Sequence, residues 1–212
     1  MKGIDVAFAN IPQARGWASA AVGALNQIIG FNGKRKEIDN LPQFKAVKTH
    51  FHLTLGPPPS FLSNLLSLLP GFDEADSTLA LLKEIRFRYF DILGVLSNNK
   101  NFVGTDSTLD EDGEKPSPNW TPRNRDGPIR ITPLYLTLGP LNQVFNLVHE
   151  SAHFLDIGFQ DYAYRDRTGE EDQLKYIRLP VQFAIRNPDS YAYFAFQMAK
   201  GVDRIFTAPY SD

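Results

Sequence analysis

The 212-residue sequence contains no cysteine and no long apolar segment. The absence of cysteine excludes disulfide bonds, thiolate catalysis and cysteine-ligated zinc sites. A membrane-spanning helix needs about 18 or more consecutive apolar residues, and the longest candidate here, residues 61–69, is interrupted by polar residues and followed by Pro70. The first residues lack the apolar stretch and small-residue cleavage site of a secretory signal. We therefore expect a cytoplasmic protein, or one exported without a signal peptide.

An excess of positive charge is also absent. The chain has 22 basic and 24 acidic residues, for a net charge of −2, whereas dedicated nucleic-acid binders normally carry a basic surplus. Hydrophobic residues make up 42% and charged residues 22%, which is ordinary for a globular protein. The length favours one domain over residues 1–212, with a helical N-terminal part at 1–128 and a second part at 129–212.

Apolar spacing and helix punctuation predict a helix-rich α+β fold with a small β-sheet. Alternating residues predict strands at 46–55 and 129–138, and Pro133 suggests that the second strand lies at a sheet edge. Residues 97–127, rich in Asn, Asp, Gly and Pro, are predicted to form a long surface loop. The predicted helices are 14–29, 60–69 after three prolines, 73–96, 140–157 and 188–200.

The helix predicted after Pro140 contains the sequence His-Glu-Ser-Ala-His at positions 149–153. His149 and His153, four residues apart, share one helical face, so both imidazoles can reach one metal ion. Glu150 lies beside the same ion and can accept a proton from a metal-bound water. This spacing predicts a zinc site with hydrolytic chemistry.

A catalytic zinc usually has a third protein ligand, which must come from outside this pattern. Gly158 allows the chain to reverse after the helix, and Asp161 follows three residues later. The spacing permits Asp161 to return to the two histidines. Sequence alone also permits four other carboxylates, Asp156, Asp166, Glu170 and Glu171.

Two further motifs follow in order. Residues 158–165 keep Gly158, Asp161 and Tyr164 of the pattern G-T-x-D-x-x-Y-G, with Phe159 in place of Thr and Arg165 in place of the last Gly. Residues 187–191, Asn-Pro-Asp-Ser-Tyr, match N-A-D-S-Y at all but one position. With these motifs, residues 129–199 resemble the aspzincins, the deuterolysin-like and peptidyl-lysine zinc metalloendopeptidases.

The resemblance implies a zincin-like metallopeptidase fold in which 129–212 is the catalytic part. It implies one zinc ion per chain, with His149, His153 and Asp161 as ligands, and a protein or peptide substrate. Glu150 would be the general base and Tyr164 would stabilise the oxyanion. The sheet with residues 129–138 would form the rim of the cleft.

The resemblance also implies a substrate-binding role for Asp189. In the lysine-specific relatives an Asp and a Glu form an acidic pocket for the residue after the cleaved bond. Here Asp189 is present, but Ala192 stands where that Glu would be. We therefore expect a loose preference for Lys or Arg at that position.

Two alternatives to a general endopeptidase remain open on the sequence. The same chemistry could belong to a secreted toxin or effector protease. The second alternative is a non-enzymatic protein that retains the zinc, although the intact Glu150 argues against it.

His50 and His52 are interpreted as a solvated strand face, since the sequence shows no third metal ligand near them. The acidic residues of the loop are interpreted as solvated: Asp106, Asp110, Asp112 and Glu114.

Overall fold

A computed structural model describes residues 2–55, 74–123, 127–165 and 170–206. Within these residues the strands are β1 (Phe102–Gly104), β2 (Asn119–Trp120) and β3 (Ile129–Ile131), and short 3-10 helices occupy Asn99–Asn101 and Pro133–Thr137. The α-helices are α1 (Gly3–Ile29), α2 (Arg35–Ile38), α3 (Pro42–Phe51), α4 (Glu74–Leu96), α5 (Pro140–His153), α6 (Glu170–Ile177), α7 (Val181–Ala184) and α8 (Pro188–Lys200). The predicted fold class, helix-rich α+β with a small sheet, is confirmed.

Two helices organise the core. Helix α1 packs against α4, α5 and α8, while α8 also packs against α3 and α5. The first nine residues of α8 are all buried, and Phe196 packs edge-on against Trp17 of α1, with 5.2 Å between ring centroids. Helix α5 is thus held from two sides, which fixes the position of its histidines.

The sheet has the order β1-β3-β2. Strand β3 pairs with β1 in parallel, with Phe102 opposite Ile129, and with β2 in antiparallel, with Trp120 opposite Arg130. The prediction of a strand over 129–138 at the sheet edge is therefore wrong in extent and position. Pro133 instead begins a 3-10 helix, where a proline is compatible with the first turn, and Thr132 Oγ1 caps it by accepting from the Leu134 amide.

The prediction of a strand over 46–55 is wrong, because residues 42–51 form helix α3. Phe44, Val47 and Phe51 recur at helical spacing and are fully buried, and Pro42 occupies the first turn. The apolar residues of this segment fit both the two-residue period of a strand and the 3.6-residue period of a helix. As a consequence, His50 is fully buried rather than solvated.

The predicted loop over 97–127 is wrong in part, since it contributes β1 and β2 to the sheet. Three-residue strands carry too few residues for an alternation signal. The first helix ends at Ile29 as predicted but begins at Gly3, and α4 ends at Leu96 as predicted. The helix predicted at 60–69 and the first residue of the helix predicted at 73–96 lie outside the described residues.

Helix α8 has its predicted bounds, with Pro188 in the first turn and Gly201 in the left-handed conformation after the last residue (φ 71°). Helix α5 ends at His153, four residues before the predicted end. Among the described residues, no helix is both long and apolar enough to cross a membrane.

Candidate metal centre and its cleft

Helix α5 presents two different faces. Val144, Val148 and Ala152 are fully buried in the hydrophobic core, as their spacing of four residues along one face requires. The spacing of His149 and His153 directs them to a second face, which lines an open cleft with Glu150. The packing of the first face therefore sets the orientation of the second.

The segment after α5 is anchored before it returns to the histidines. Asp156 Oδ1 accepts a hydrogen bond from the Gly158 amide at 2.6 Å, and its Oδ2 lies 3.1 Å from Arg88 Nη1. Phe159 is buried and packs against Tyr191, with 5.4 Å between ring centroids. The phenylalanine that departs from the family motif is thus an anchor of the turn. Asp156, one of the open ligand candidates, is engaged away from the histidines.

Asp161 lies between the two histidines. Its Oδ1 is 3.3 Å from His149 Nε2 and 3.2 Å from His153 Nε2. Ligands bound tetrahedrally to zinc at about 2.0–2.1 Å are about 3.3 Å apart, so this spacing fits a zinc ion. Among the described residues, these three form the one group of His, Cys, Asp or Glu side chains with the geometry to hold a metal. The side chains of the other candidates, at 166, 170 and 171, lie outside the described residues.

The second nitrogen of each histidine is held by the protein. His149 Nδ1 lies 2.8 Å from Asp189 Oδ1, and His153 Nδ1 lies 3.2 Å from the Phe159 carbonyl oxygen. Both partners are acceptors, so each Nδ1 carries the hydrogen and each Nε2 can bind a metal. Partners of this kind orient metal-binding histidines and raise their basicity.

The close approach of the histidines and the carboxylates shifts the pKa values of the site. Burial would lower the pKa of His149, but hydrogen bonds to Asp161 and Asp189 outweigh it and raise that pKa well above its usual value. Burial would raise the pKa of Asp161, but hydrogen bonds to His149 and His153 lower it far below its usual range. The carboxylate is therefore ionised at neutral pH, as a zinc ligand must be.

Asp189 lies behind His149. It is only 2% exposed, and while Oδ1 contacts His149, Oδ2 accepts a hydrogen bond from the Arg165 amide at 3.0 Å. The Arg165 side chain forms an ion pair with Asp203. Both carboxylate oxygens thus have protein partners, and a substrate ammonium group would compete with them. Arg165, the second departure from the motif, ties the Asp161–Tyr164 turn to the C-terminal segment.

Glu150 and Tyr164 both line the cleft. The Tyr164 ring lies nearly parallel to the His149 ring, with 6.4 Å between centroids and 13° between planes. Glu150 is 7% exposed, and its Oε2 accepts a hydrogen bond from Thr121 Oγ1 at 2.8 Å. Thr121 lies 29 residues from Glu150 within the predicted loop and belongs to no motif, so nothing in the sequence pointed to it as a site residue.

The cleft has a volume of about 820 Å³, within the usual range for ligand sites. Helix α5 forms its floor, the turn at 157–164 one wall, and the segments 110–112 and 115–123 the other. The predicted sheet does reach the rim, but through β2 and the residues around it, because β3, within the predicted range 129–138, is the central strand. Leu138 alone of that range lines the cleft.

His50 and His52 do not belong to this site. The two ring nitrogens of His50 contact Tyr176 Oη at 3.0 Å and Gln197 Oε1 at 2.8 Å. His52 follows α3 in the left-handed conformation (φ 55°). Neither is part of a group with metal-binding geometry within the described residues.

No protein-family model matches the chain, and no curated protein matches it. The chain is similar to the solved structure of a zinc peptidase from Grifola frondosa, with 17% sequence identity and a TM-score of 0.43. The similarity covers 89% of this chain and 95% of that one.

Proposed function

We propose that this protein is a zinc-dependent endopeptidase of the aspzincin type, with one zinc ion per chain held by His149, His153 and Asp161. The observation that carries the proposal is the spacing of 3.2–3.3 Å from Asp161 Oδ1 to the two Nε2 atoms. That spacing suits a tetrahedral ion with three protein ligands, and all three residues line the open cleft. The three ordered sequence motifs support the same assignment.

A zinc ion at this site supplies Lewis-acid chemistry, polarising a peptide carbonyl and lowering the pKa of a water molecule. Glu150 accepts a proton from the water whose oxygen attacks the carbonyl carbon. It then donates that proton to the nitrogen of the leaving amine as the C–N bond breaks. The Tyr164 phenol donates a hydrogen bond to the oxyanion of the tetrahedral intermediate.

Asp189 has a positioning role in this proposal. Its buried carboxylate, 2.8 Å from His149 Nδ1, fixes the tautomer and the ring orientation of a zinc ligand. The preference for Lys or Arg after the cleaved bond, expected from the family resemblance, would then have to arise from other residues of the cleft.

Digestion of an unbiased peptide library tests the proposed function. The wild-type protein should cleave internal peptide bonds, and a zinc chelator should stop the reaction. Glu150→Gln should keep its zinc and lose on the order of 10²–10⁴-fold in kcat, because the general base is removed and no ligand is changed. Glu114→Gln, which alters an exposed glutamate, is the matched control and should behave as wild type. Equal cleavage by wild type and Glu150→Gln would contradict the proposal.

A further inference from the structure

The segment that forms the cleft wall beside Glu150 is fixed by the sheet. Strand β2 pairs with β3, and the Pro118 carbonyl oxygen accepts a hydrogen bond from the Thr132 amide at 3.0 Å. Ser117 Oγ donates to the Asn119 carbonyl oxygen at 2.7 Å. Thr121 follows directly after β2 and precedes the buried Pro122. Its backbone position is therefore set by the sheet, and the Asn119 side chain of β2 also joins this segment to helix α5, with Nδ2 donating to the Asn146 carbonyl oxygen at 3.4 Å.

The Thr121 hydroxyl joins this rigid rim to Glu150. Oγ1 lies 2.8 Å from Glu150 Oε2 and 3.0 Å from the Glu150 carbonyl oxygen. The carbonyl oxygen already accepts from the Phe154 amide at 3.0 Å, whereas Thr121 provides the one hydrogen bond to the Glu150 carboxylate from the described part of the chain. The Thr121 hydroxyl therefore donates its hydrogen bond to Oε2, which as a carboxylate oxygen is a stronger acceptor than the carbonyl oxygen.

A glutamate has three side-chain torsions, and a general base must hold its carboxylate within hydrogen-bonding reach of the proton that it accepts. A hydrogen bond to one carboxylate oxygen restricts these torsions before substrate arrives, so the entropic cost of alignment is met on folding. The same bond leaves Oε1 available for the proton.

We propose that Thr121 is a positioning residue that holds the Glu150 carboxylate in its catalytic orientation. This inference rests on the proposed peptidase function. Thr121 touches the general base and acts through it, so its contribution belongs to kcat and is separate from zinc binding.

The test replaces the hydroxyl while keeping the side-chain shape. Thr121→Val should lower kcat about tenfold, the lower end of what a hydrogen bond to a charged group contributes, with KM and zinc content unchanged. Thr121→Ser restores the donor and should recover most of the wild-type kcat. Thr137→Val is the matched control, since Thr137 is exposed and its hydroxyl donates to Leu134 O at 2.7 Å, away from the cleft.

Several outcomes overturn the inference. A kcat for Thr121→Val within twofold of wild type would do so, as would a serine variant no more active than valine, or a change in KM alone. If valine disturbs folding, Thr121→Ala removes the same donor with a smaller side chain and must show the same loss of kcat. Failure of the proposed function is distinguishable, because wild-type protein would then show no hydrolysis dependent on zinc and Glu150.

Discussion

Two buried histidines of this protein have opposite electrostatic environments. His149 lies between the carboxylates of Asp161 and Asp189, which raise its pKa in spite of burial. His50 is fully buried under α8, and burial, followed by the nearby Arg165 guanidinium, lowers its pKa to about 3. The same side chain thus lies between two carboxylates in one place and is a neutral core residue in the other.

The partners of the ring nitrogens explain the difference. Each nitrogen of His50 is matched to a neutral group, Tyr176 on one side and Gln197 on the other. His149 has a carboxylate at Nδ1, and its Nε2 shares Asp161 Oδ1 with His153. Burial alone therefore does not distinguish the two histidines, whereas convergence of two imidazole nitrogens on one carboxylate oxygen is found only at His149 among the two.

The largest effect that separates the two histidines should be on zinc content. We expect one zinc ion per chain in wild type and none in His149→Ala, because two ligands hold zinc far more weakly than three. His50→Gln, which keeps a polar group in the same pocket, should retain a full zinc equivalent in its folded fraction. Elemental analysis of protein purified without added metal measures both. Undiminished zinc in His149→Ala would assign the metal to other residues.

Each histidine also lies parallel to a tyrosine, which sharpens the comparison at the level of catalysis. Tyr164 lies against His149 in the cleft, and Tyr193 lies against His50 in the core, 6.1 Å away and 10° from parallel. Tyr164→Phe should lower kcat on the order of 10²-fold with little change in KM, since it removes an oxyanion donor. Tyr193→Phe should leave kcat unchanged and lower only the thermal stability. Steady-state kinetics of the two variants measures this difference. Equal kcat values would show that Tyr164 has only a packing role.

Asp189 offers a smaller effect that separates orientation from specificity. Asp189→Asn removes the charge behind His149 and should weaken zinc binding about 10–100-fold, with the set of cleaved peptide bonds unchanged. Asp203→Asn, which removes the carboxylate paired with Arg165, is the control and should affect zinc binding less. A competition titration with a chelator measures the affinity, and library digestion measures the specificity. An altered cleavage profile with undiminished zinc affinity would instead place Asp189 in contact with substrate.

The smallest effect concerns acid stability and involves His50. An unfolded histidine takes up a proton near pH 6.5, whereas folded His50 does so only near pH 3, so the unfolded state binds more protons between these values. The free energy of unfolding should therefore fall as the pH decreases from about 6.5 towards 3. The polar and titratable groups that face His50 are the following: Tyr176, Tyr193, Gln197, Arg165, Asp203 and His52.

Urea unfolding of the zinc-free protein at several pH values measures this term. His50→Gln should show a shallower loss of stability over the same interval, because its side chain does not titrate. The zinc-free form is used for both proteins so that metal release does not contribute to the slope. Identical slopes in the two proteins would show that His50 is protonated without penalty in the folded state.

The sequence predicted the grouping of His149, His153 and Asp161 better than it predicted the sheet. The spacing of His149 and His153 follows directly from helical periodicity, and the turn containing Asp161 was named by its motif. The structure brings all three together. The strands, by contrast, have only two or three residues each, too few for an alternating pattern to register.

Two errors have a common physical cause. Residues 46–55 fit both an alternating pattern and a helical one. Tertiary burial of Phe44, Val47 and Phe51 on one helical face stabilises the helix instead of a strand. Thr121 reaches Glu150 across 29 residues of sequence, through strand pairing that no local pattern encodes. Contacts of this kind depend on the assembled sheet, and they were the part of the site that sequence alone could not supply.

An anomalous difference map at the zinc absorption edge, from crystals of protein purified without added metal, tests the central claim most directly. We expect one strong peak per chain, about 2.0–2.2 Å from His149 Nε2, His153 Nε2 and an Asp161 carboxylate oxygen. No peak at this position, or a peak at other residues such as the acidic segment 110–112, would contradict the proposed metal centre and the peptidase mechanism built on it.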